Sequence, residues 1–331
     1  MRQKCFEYQY LQTLNERTNL LPAEKSQLQR LIRGYSGESN LDKLVQDYFR
    51  HPELVVDDLN LVYQNERIQV DKLIVVGNVV YLIDVKNYQG SYTYQNNSWY
   101  CGNKLLTNNI FRQIDRAHDV LMQILYANGL SLEIRRVLIF MDPTVKVEIK
   151  QPIVQKILRV EEVAAWLMKL NNETKIYPQE NAKRWYDTLT KYSVPPYRPQ
   201  EDFSSQTKRV LRPGVCCPKC HKFDWTTYRY YLCCCHCGFC QSKEQAYVST
   251  ICDHGVLFFK ENLKRKELKQ FFGKDWSEKY IRTQLKKHFC LLSNHGRSSC
   301  YQNKGLKFEY WFKNQQDYFK ALERRQKWKK N

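Results

Sequence analysis

Apolar positions in the first fifty residues recur at helical spacing. Phe6, Tyr10, Leu11 and Leu14, then Leu28, Leu31 and Ile32, predict helix to about residue 35, with Leu21-Pro22 dividing it into two short helices. Gly34-Tyr35-Ser36-Gly37 breaks the pattern. Leu41, Leu44, Val45, Tyr48 and Phe49 then set a new apolar stripe on a helix from Glu38 to about Phe49. Short β-rich runs follow over 53–63, 67–76, 79–87 and 91–95. Helix is predicted over 110–126, a strand over 136–141 and a helix over 160–170. Strands flanked by helices suit a single α/β domain ending near residue 190. The stretch Ser193-Val194-Pro195-Pro196-Tyr197-Arg198-Pro199 reads as a linker stiffened by proline.

With 331 residues, two or three compact units are expected. We divide the chain into a helical segment (1–35), an α/β core (36–190), a linker (191–212), a cysteine-rich segment (213–242) and a basic C-terminal domain (243–331). The net charge of +19 is uneven: residues 201–331 hold 27 Lys and Arg against 12 Asp and Glu. That excess points to a polyanionic partner for the C-terminal part, nucleic acid before membrane, although a charge run by itself also fits plain solubility. No apolar stretch reaches the roughly 18 residues needed to span a bilayer, and the N-terminus lacks the apolar core of a signal peptide. A cytoplasmic location is therefore expected, and the thirteen cysteines are expected to serve in metal ligation rather than disulfides.

The most informative stretch runs from Gln69 to Lys86. Two β-branched runs flank Gly77-Asn78, the pattern of a two-residue type II′ hairpin. That turn pairs Val76 with Val79, sets Asp71 opposite Asp84, and places Gln69 opposite Lys86 on the same face. Like charges directly opposed across strands are destabilising, and a shared divalent cation such as Mg²⁺ would reconcile them. Lys86, on the same face, could orient a water and stabilise charge developing on a phosphoryl group. An Asp-x-Lys alone fits an ordinary surface ion pair. The facing Asp71 and the apolar opposite face (Val70, Ile74, Val76, Val79, Tyr81, Ile83 and Val85) favour a site.

Gly34-Tyr35-Ser36-Gly37-Glu38, Gln69-Val70-Asp71, Ile83-Asp84-Val85-Lys86-Asn87-Tyr88-Gln89-Gly90 and Asn109-Ile110-Phe111-Arg112-Gln113 occur in the order and at the approximate spacing of the nuclease-related domain (NERD) family. The resemblance covers about residues 34–130. It implies a restriction-endonuclease-like, PD-(D/E)XK core with flanking helices, metal-binding acids at Glu38, Asp71 and Asp84, a catalytic Lys86 and a supporting Gln113. The Val85 carbonyl is a further candidate metal ligand. Asp84 stands where this family more often has Glu, and Ile110 where it often has Pro. Read from its position alone, Glu38 is equally a first-turn residue favoured by the helix dipole.

Cys217-Pro218-Lys219-Cys220 and Cys234-Cys235-His236-Cys237-Gly238 form two C-x₂-C knuckles and resemble a zinc ribbon, with strands expected within 223–232. Cys216, Cys233, Cys235 and Cys240, with His221 and His236, leave the ligand register open. A second metal is possible in principle, and spare buried thiols are the preferred alternative. A structural role for Zn²⁺ is expected ahead of direct nucleic-acid contact by Lys219, Lys222, Arg229 and the neighbouring aromatic residues. Beyond the knuckles, helices over 261–272 and 277–287, then strands over 289–292 and 306–312 around Asn294-His295-Gly296, describe a small basic α+β domain compatible with a winged helix. Lys279, Arg282 and Lys286 share one face of its second helix, opposite Ile281 and Leu285. Glu323 to Lys330 carries a further basic run around Trp328.

The expected function is Mg²⁺- or Mn²⁺-dependent hydrolysis of DNA or RNA phosphodiesters, with Zn²⁺ structural. The alternative is a non-catalytic nucleic-acid-binding or signalling module on a nuclease scaffold. No His-Glu-x-x-His motif or nucleophile triad supports a protease.

Overall fold

The computed structural model describes residues 4–176, 180–194, 209–258, 262–293 and 299–302, with side chains in the second of these ranges described from residue 182. The chain divides into two compact units. One is residues 29–197; the other joins residues 1–28 to 198–331.

The first unit is built on a five-stranded mixed sheet. Strands β1 (Val55–Tyr63), β2 (Glu66–Val76) and β3 (Val79–Lys86) form an antiparallel meander. In the same unit β4 (Ser91–Gln95), β5 (Ser98–Cys101), β6 (Lys104–Leu105) and β8 (Lys146–Ile149) make a small second sheet, in the order β6-β5-β4-β8. Strands β7 (Glu133–Phe140) and β9 (Lys156–Arg159) extend the large sheet parallel to β3, in the order β1-β2-β3-β7-β9. A parallel pair needs a crossover, and α3 (Arg112–Ala127) lies in the connection from β3 to β7. Strand β2 meets β3 in the predicted register, from Val76↔Val79 to Lys72↔Ile83. Gly77 at the first loop position takes φ 58°, the left-handed region that a Cβ disfavours.

Both faces of this sheet are buried. Leu73, Ile74, Val80 and Leu82, from alternate sides of the hairpin, are each at most 1% exposed. Helix α3 covers the face carrying Leu82, Asp84 and Lys86: Arg136, opposite Leu82 in the register, donates to Asp115 of α3 at 2.9 Å. Helix α4 (Val160–Glu173) covers the other, where Trp166 meets the Tyr81 ring edge-on at 5.7 Å. Helix α5 (Glu180–Tyr192) contributes Trp185 and Leu189 to the same core.

One expectation is corrected here. Helix α2 runs unbroken from Pro22 to Tyr48, straight through Gly34-Tyr35-Ser36-Gly37. Glycine in a helix costs about 1 kcal/mol relative to alanine, and close packing supplies the reason for it. A Cβ on Gly37 would lie 2.8 Å from the Asn87 Cβ and 3.5 Å from a Val85 methyl, so only glycine lets the helix come this near the end of β3. Glu38 is therefore an interior helical residue, and the first-turn reading of it falls. Sequence periodicity also assigned no role to Lys72. It is 1% exposed and ion-paired to Asp42 of α2 at 3.0 Å and to Asp57 of β1.

The second unit contains α1 (Phe6–Arg17), the sheet β10-β11-β12 (Trp225–Thr227, Tyr231–Cys234 and Cys240–Ser242) and α6 (Lys243–Leu257). It continues with β13 (Leu263–Lys264), α7 (Arg265–Phe272), α8 (Glu278–His288), β14 (Cys290–Ser293) and β15 (Cys300–Gln302). Helix α7 starts later than 261 because β13 precedes it. Arg17 ties the first residues of the chain to this unit: it donates to the Arg212 and Gly214 carbonyls at 3.2 and 3.0 Å, pairs with Asp253 at 2.9 Å, and lies 4.1 Å from the Phe271 ring centroid. The last three strands form an antiparallel sheet in the order β13-β15-β14. The strand expected over 306–312, the turn at 294–296 and the basic run at 323–330 lie outside the described residues. Among those described, no helix is long and apolar enough to cross a membrane.

Candidate metal centres

The carboxylate site forms where β2 and β3 diverge from strict pairing. Asp71 and Asp84 are buried, 8% and 4% exposed, on the α3 side of the sheet. The Val85 amide donates to Asp71 Oδ2 at 2.9 Å, fixing that side chain across the hairpin. Lys86 Nζ donates to Asp84 Oδ1 at 2.9 Å and to Gln113 Oε1 at 3.0 Å. Gln113 is held in place because α3 starts at a fixed point: the Phe111 amide is capped by the Asn109 side chain at 3.0 Å. Four of the residues singled out by sequence thus come together: Asp71, Asp84, Lys86 and Gln113.

Glu38 lies on α2, next to the Gly37 that meets Val85 and Asn87 at the end of β3. Its helix packs on the opposite face, through Asp42 to Lys72 and through Gly37 to Val85. Among the described residues, no group of three ligand atoms within 4.8 Å of one another includes Glu38.

Electrostatics at the pair are adverse. Burial is the largest cause, and the charge of Asp71 adds to it; together they outweigh Lys86 and push the Asp84 carboxyl up to about 7. Burial alone would lower the Lys86 ammonium, but the charge and hydrogen bond of Asp84 more than offset that, and its pKa rises. Lys86 is therefore a fixed cation and not a proton acceptor. Its Nζ also lies 2.8 Å from Asp84 Oδ2, yet only Oδ1 is aligned for a hydrogen bond, so Oδ2 is buried with no such partner. A buried pair of carboxylates, in which Asp84 Oδ2 has an ion pair but no aligned hydrogen bond, suits a hard divalent cation. The backbone is strained here too. Strand β1 skips a pairing opposite Asp71, and Asp58 takes φ 53° there. Sequence patterning carried no signal for that irregularity.

The cysteine site assembles as the spacing implied. Cys217, Cys220, Cys234 and Cys237 bring their sulfurs within 4.8 Å of one another. The separations are 3.7 Å for Cys217–Cys237 and 3.5 Å for Cys220–Cys234. A tetrahedron with Zn–S of about 2.3 Å has edges of about 3.8 Å, so the donor set fits zinc. Burial works to raise the Cys234 thiol, but the His236 and Cys237 amides outweigh it and bring it down to about 7.

Two expectations about the remaining cysteines are corrected. Cys233 and Cys240 form a disulfide, whereas metal ligation without disulfides was expected. They are cross-strand neighbours in the β11–β12 register, with Cα atoms 4.2 Å apart. Nor are the other two buried spare thiols: Cys235 is exposed and Cys216 only partly buried. Cys216 instead lies with Glu16 and His221 in a second group within 4.8 Å.

No curated protein and no solved structure matches the chain. One family model does, over a stretch that takes in Asp71, Asp84, Lys86 and Gln113. Residues 33–141 match the nuclease-related domain, which supports assigning that part of the chain to the nuclease-related domain family.

Proposed function

We propose that this protein is a nuclease that hydrolyses DNA or RNA phosphodiester bonds with Mg²⁺ or Mn²⁺. The observation that carries the reading is the buried Asp71–Asp84 pair beside a lysine held by Asp84 and Gln113. Asp71 and Asp84, with the Val85 carbonyl, would hold the ion, which when bound supplies Lewis-acid activation and neutralises phosphate charge. Lys86, kept protonated by Asp84, orients the attacking water and stabilises negative charge growing on the phosphoryl oxygens. Gln113 holds the ammonium in position.

The cysteine group would hold Zn²⁺ as a structural ion. The order α6-β13-α7-α8-β14-β15 with its β13-β15-β14 sheet supports a winged-helix reading of the C-terminal elements. Lys279, Arg282 and Lys286 on α8 are exposed, while Ile281 and Leu285 are buried, so α8 offers a cationic face for substrate phosphates.

The test is incubation of the purified protein with labelled DNA and RNA in Mg²⁺, Mn²⁺ or EDTA. Asp84→Ala and Lys86→Ala are expected to lower cleavage by about 10²–10³-fold while far-UV circular dichroism stays that of wild type. Equal cleavage by all three proteins overturns the mechanism. Binding without cleavage under every divalent ion favours the non-catalytic module instead.

A further inference from the structure

A cleft of about 730 Å³ opens beside Lys86 and Gln113 in the first unit, within the range of roughly 300–1,000 Å³ typical of ligand pockets. Its walls combine two chemistries. One side is aromatic: the rings of Tyr88 and Tyr92 stack at 5.4 Å with an interplanar angle of 29°. Both are partly buried against the core of the small sheet, where Phe140 meets Tyr88 at 6.3 Å and Tyr92 at 6.4 Å. The platform is therefore rigid. The other chemistry is cationic. Arg67, Arg112 and Arg116 join Lys86 on the lining, with Arg116 paired to Glu66 at 3.5 Å and Lys86 to Asp84 at 2.8 Å. Arg112 and Arg116 are exposed one turn apart on α3, and the exposed amide of Asn108 sits at the rim.

A pair of stacked tyrosine rings beside cationic side chains is complementary to an aromatic ring system carrying phosphates. In an intact duplex each base has both faces covered by its neighbours, so a base reaches such a platform only after leaving the stack. We infer that this cleft receives one unpaired nucleobase next to the phosphate held at Lys86, so that the preferred substrate is single-stranded or locally melted nucleic acid. The inference rests on the phosphodiesterase reading above for what happens at Lys86, while the base-binding platform stands on its own residues. Tyr88 and Tyr92 give stacking without base identity; Arg112 and Arg116 track the backbone on either side.

The test uses the full chain, without added Mg²⁺ or Mn²⁺, at a salt concentration of about 0.2 M to damp non-specific backbone binding. Fluorescence anisotropy compares three 12-nucleotide probes: a single strand, the same strand with abasic positions at its centre, and the matching duplex. A fourth probe carries 2-aminopurine at the centre, whose fluorescence falls when it stacks. Wild type is expected to bind the single strand about 5- to 150-fold tighter than the abasic strand, the range that stacking on aromatic side chains gives. It should quench 2-aminopurine. Tyr88→Leu is expected to remove most of both effects, and Tyr88→Phe, which keeps the ring, to retain them. If the abasic strand or the duplex binds as tightly as the single strand, or 2-aminopurine stays bright in the bound wild type, the inference is overturned. These readouts need no cleavage. A protein that stacks bases but never cuts would sink the nuclease reading alone, and one that cuts duplex and abasic strands equally would sink this inference alone.

Discussion

The two candidate metal centres relate to their surroundings in opposite ways. The sheet around Asp71 and Asp84 is a core in its own right, buried on both faces and closed by α3, α4 and α5. Its carboxylates oppose folding, since burial and mutual repulsion act against the charge on Asp84. The sheet around the four cysteines has three strands of three or four residues, and Leu232 is its one fully buried aliphatic side chain. There the sulfurs are much of what lies inside. A fold that stands without its ion can hold charges that an ion then relieves. A fold without enough apolar surface needs the ion in order to exist.

Removing the ions should separate the two centres most widely. Stripping zinc with a strong chelator, or replacing Cys217 with Ser, is expected to unfold residues 215–242, because structural zinc contributes on the order of 10 kcal/mol. Hydrogen exchange should then show protection lost there and kept in β2, β3 and β7. Loss of protection in both places would mean that the contrast is wrong. A smaller effect is expected at the helix crossing. Gly37→Ala forces a methyl against the Asn87 Cβ, and overpacking of this kind costs about 1–3 kcal/mol. Urea denaturation should find the variant less stable, although alanine is the better helix former. No loss would mean that α2 can move away from β3.

The subtlest test concerns charge. The folded-state value of Asp84, about 7, lies above its ordinary 3.8. Its protonated form is favoured by the fold, so this contribution is fully present below about pH 4 and is lost as pH rises through 7. In metal-free buffer the first unit should therefore weaken between those values. Asp71→Asn removes a charge that raises Asp84 and should flatten the trend. Carboxyl titration followed by NMR checks this, with a lower Asp84 pKa in the variant as the expected result. An unchanged value would show that Asp71 does not act on its neighbour.

What the sequence revealed followed from short-range rules. Gly77-Asn78 set the hairpin register, and the register placed Asp71 near Asp84 and Lys86 on one side. Two C-x₂-C turns picked out the four cysteines that the fold brings together, without any knowledge of the strands. What remained hidden depends on long-range packing. Helix α6 shows no apolar stripe because it is buried nearly all round, from Ala246 to Leu257. Gly37 reads as part of a break until the nearness of Asn87 is known. The Lys72 ion pairs join α2 and β1 to β2, and the Cys233–Cys240 pairing needs the β11–β12 register. Arg112 and Arg116 are ordinary exposed helix residues until Tyr88 and Tyr92 are found to line the same cleft.

The way the units are threaded has a consequence for how the chain is made. Residues 29–197 are an insertion within the other unit, whose first 28 residues leave the ribosome long before residues 198–331. At about 5–20 residues per second, α1 waits on the order of 10–35 s for the segments that bury it. Throughout that interval Tyr8, Tyr10, Leu11 and Leu14 lack their final cover. The inserted unit can complete itself in the meantime, so the nascent chain passes through a stage in which a finished unit follows an adhesive, uncovered helix.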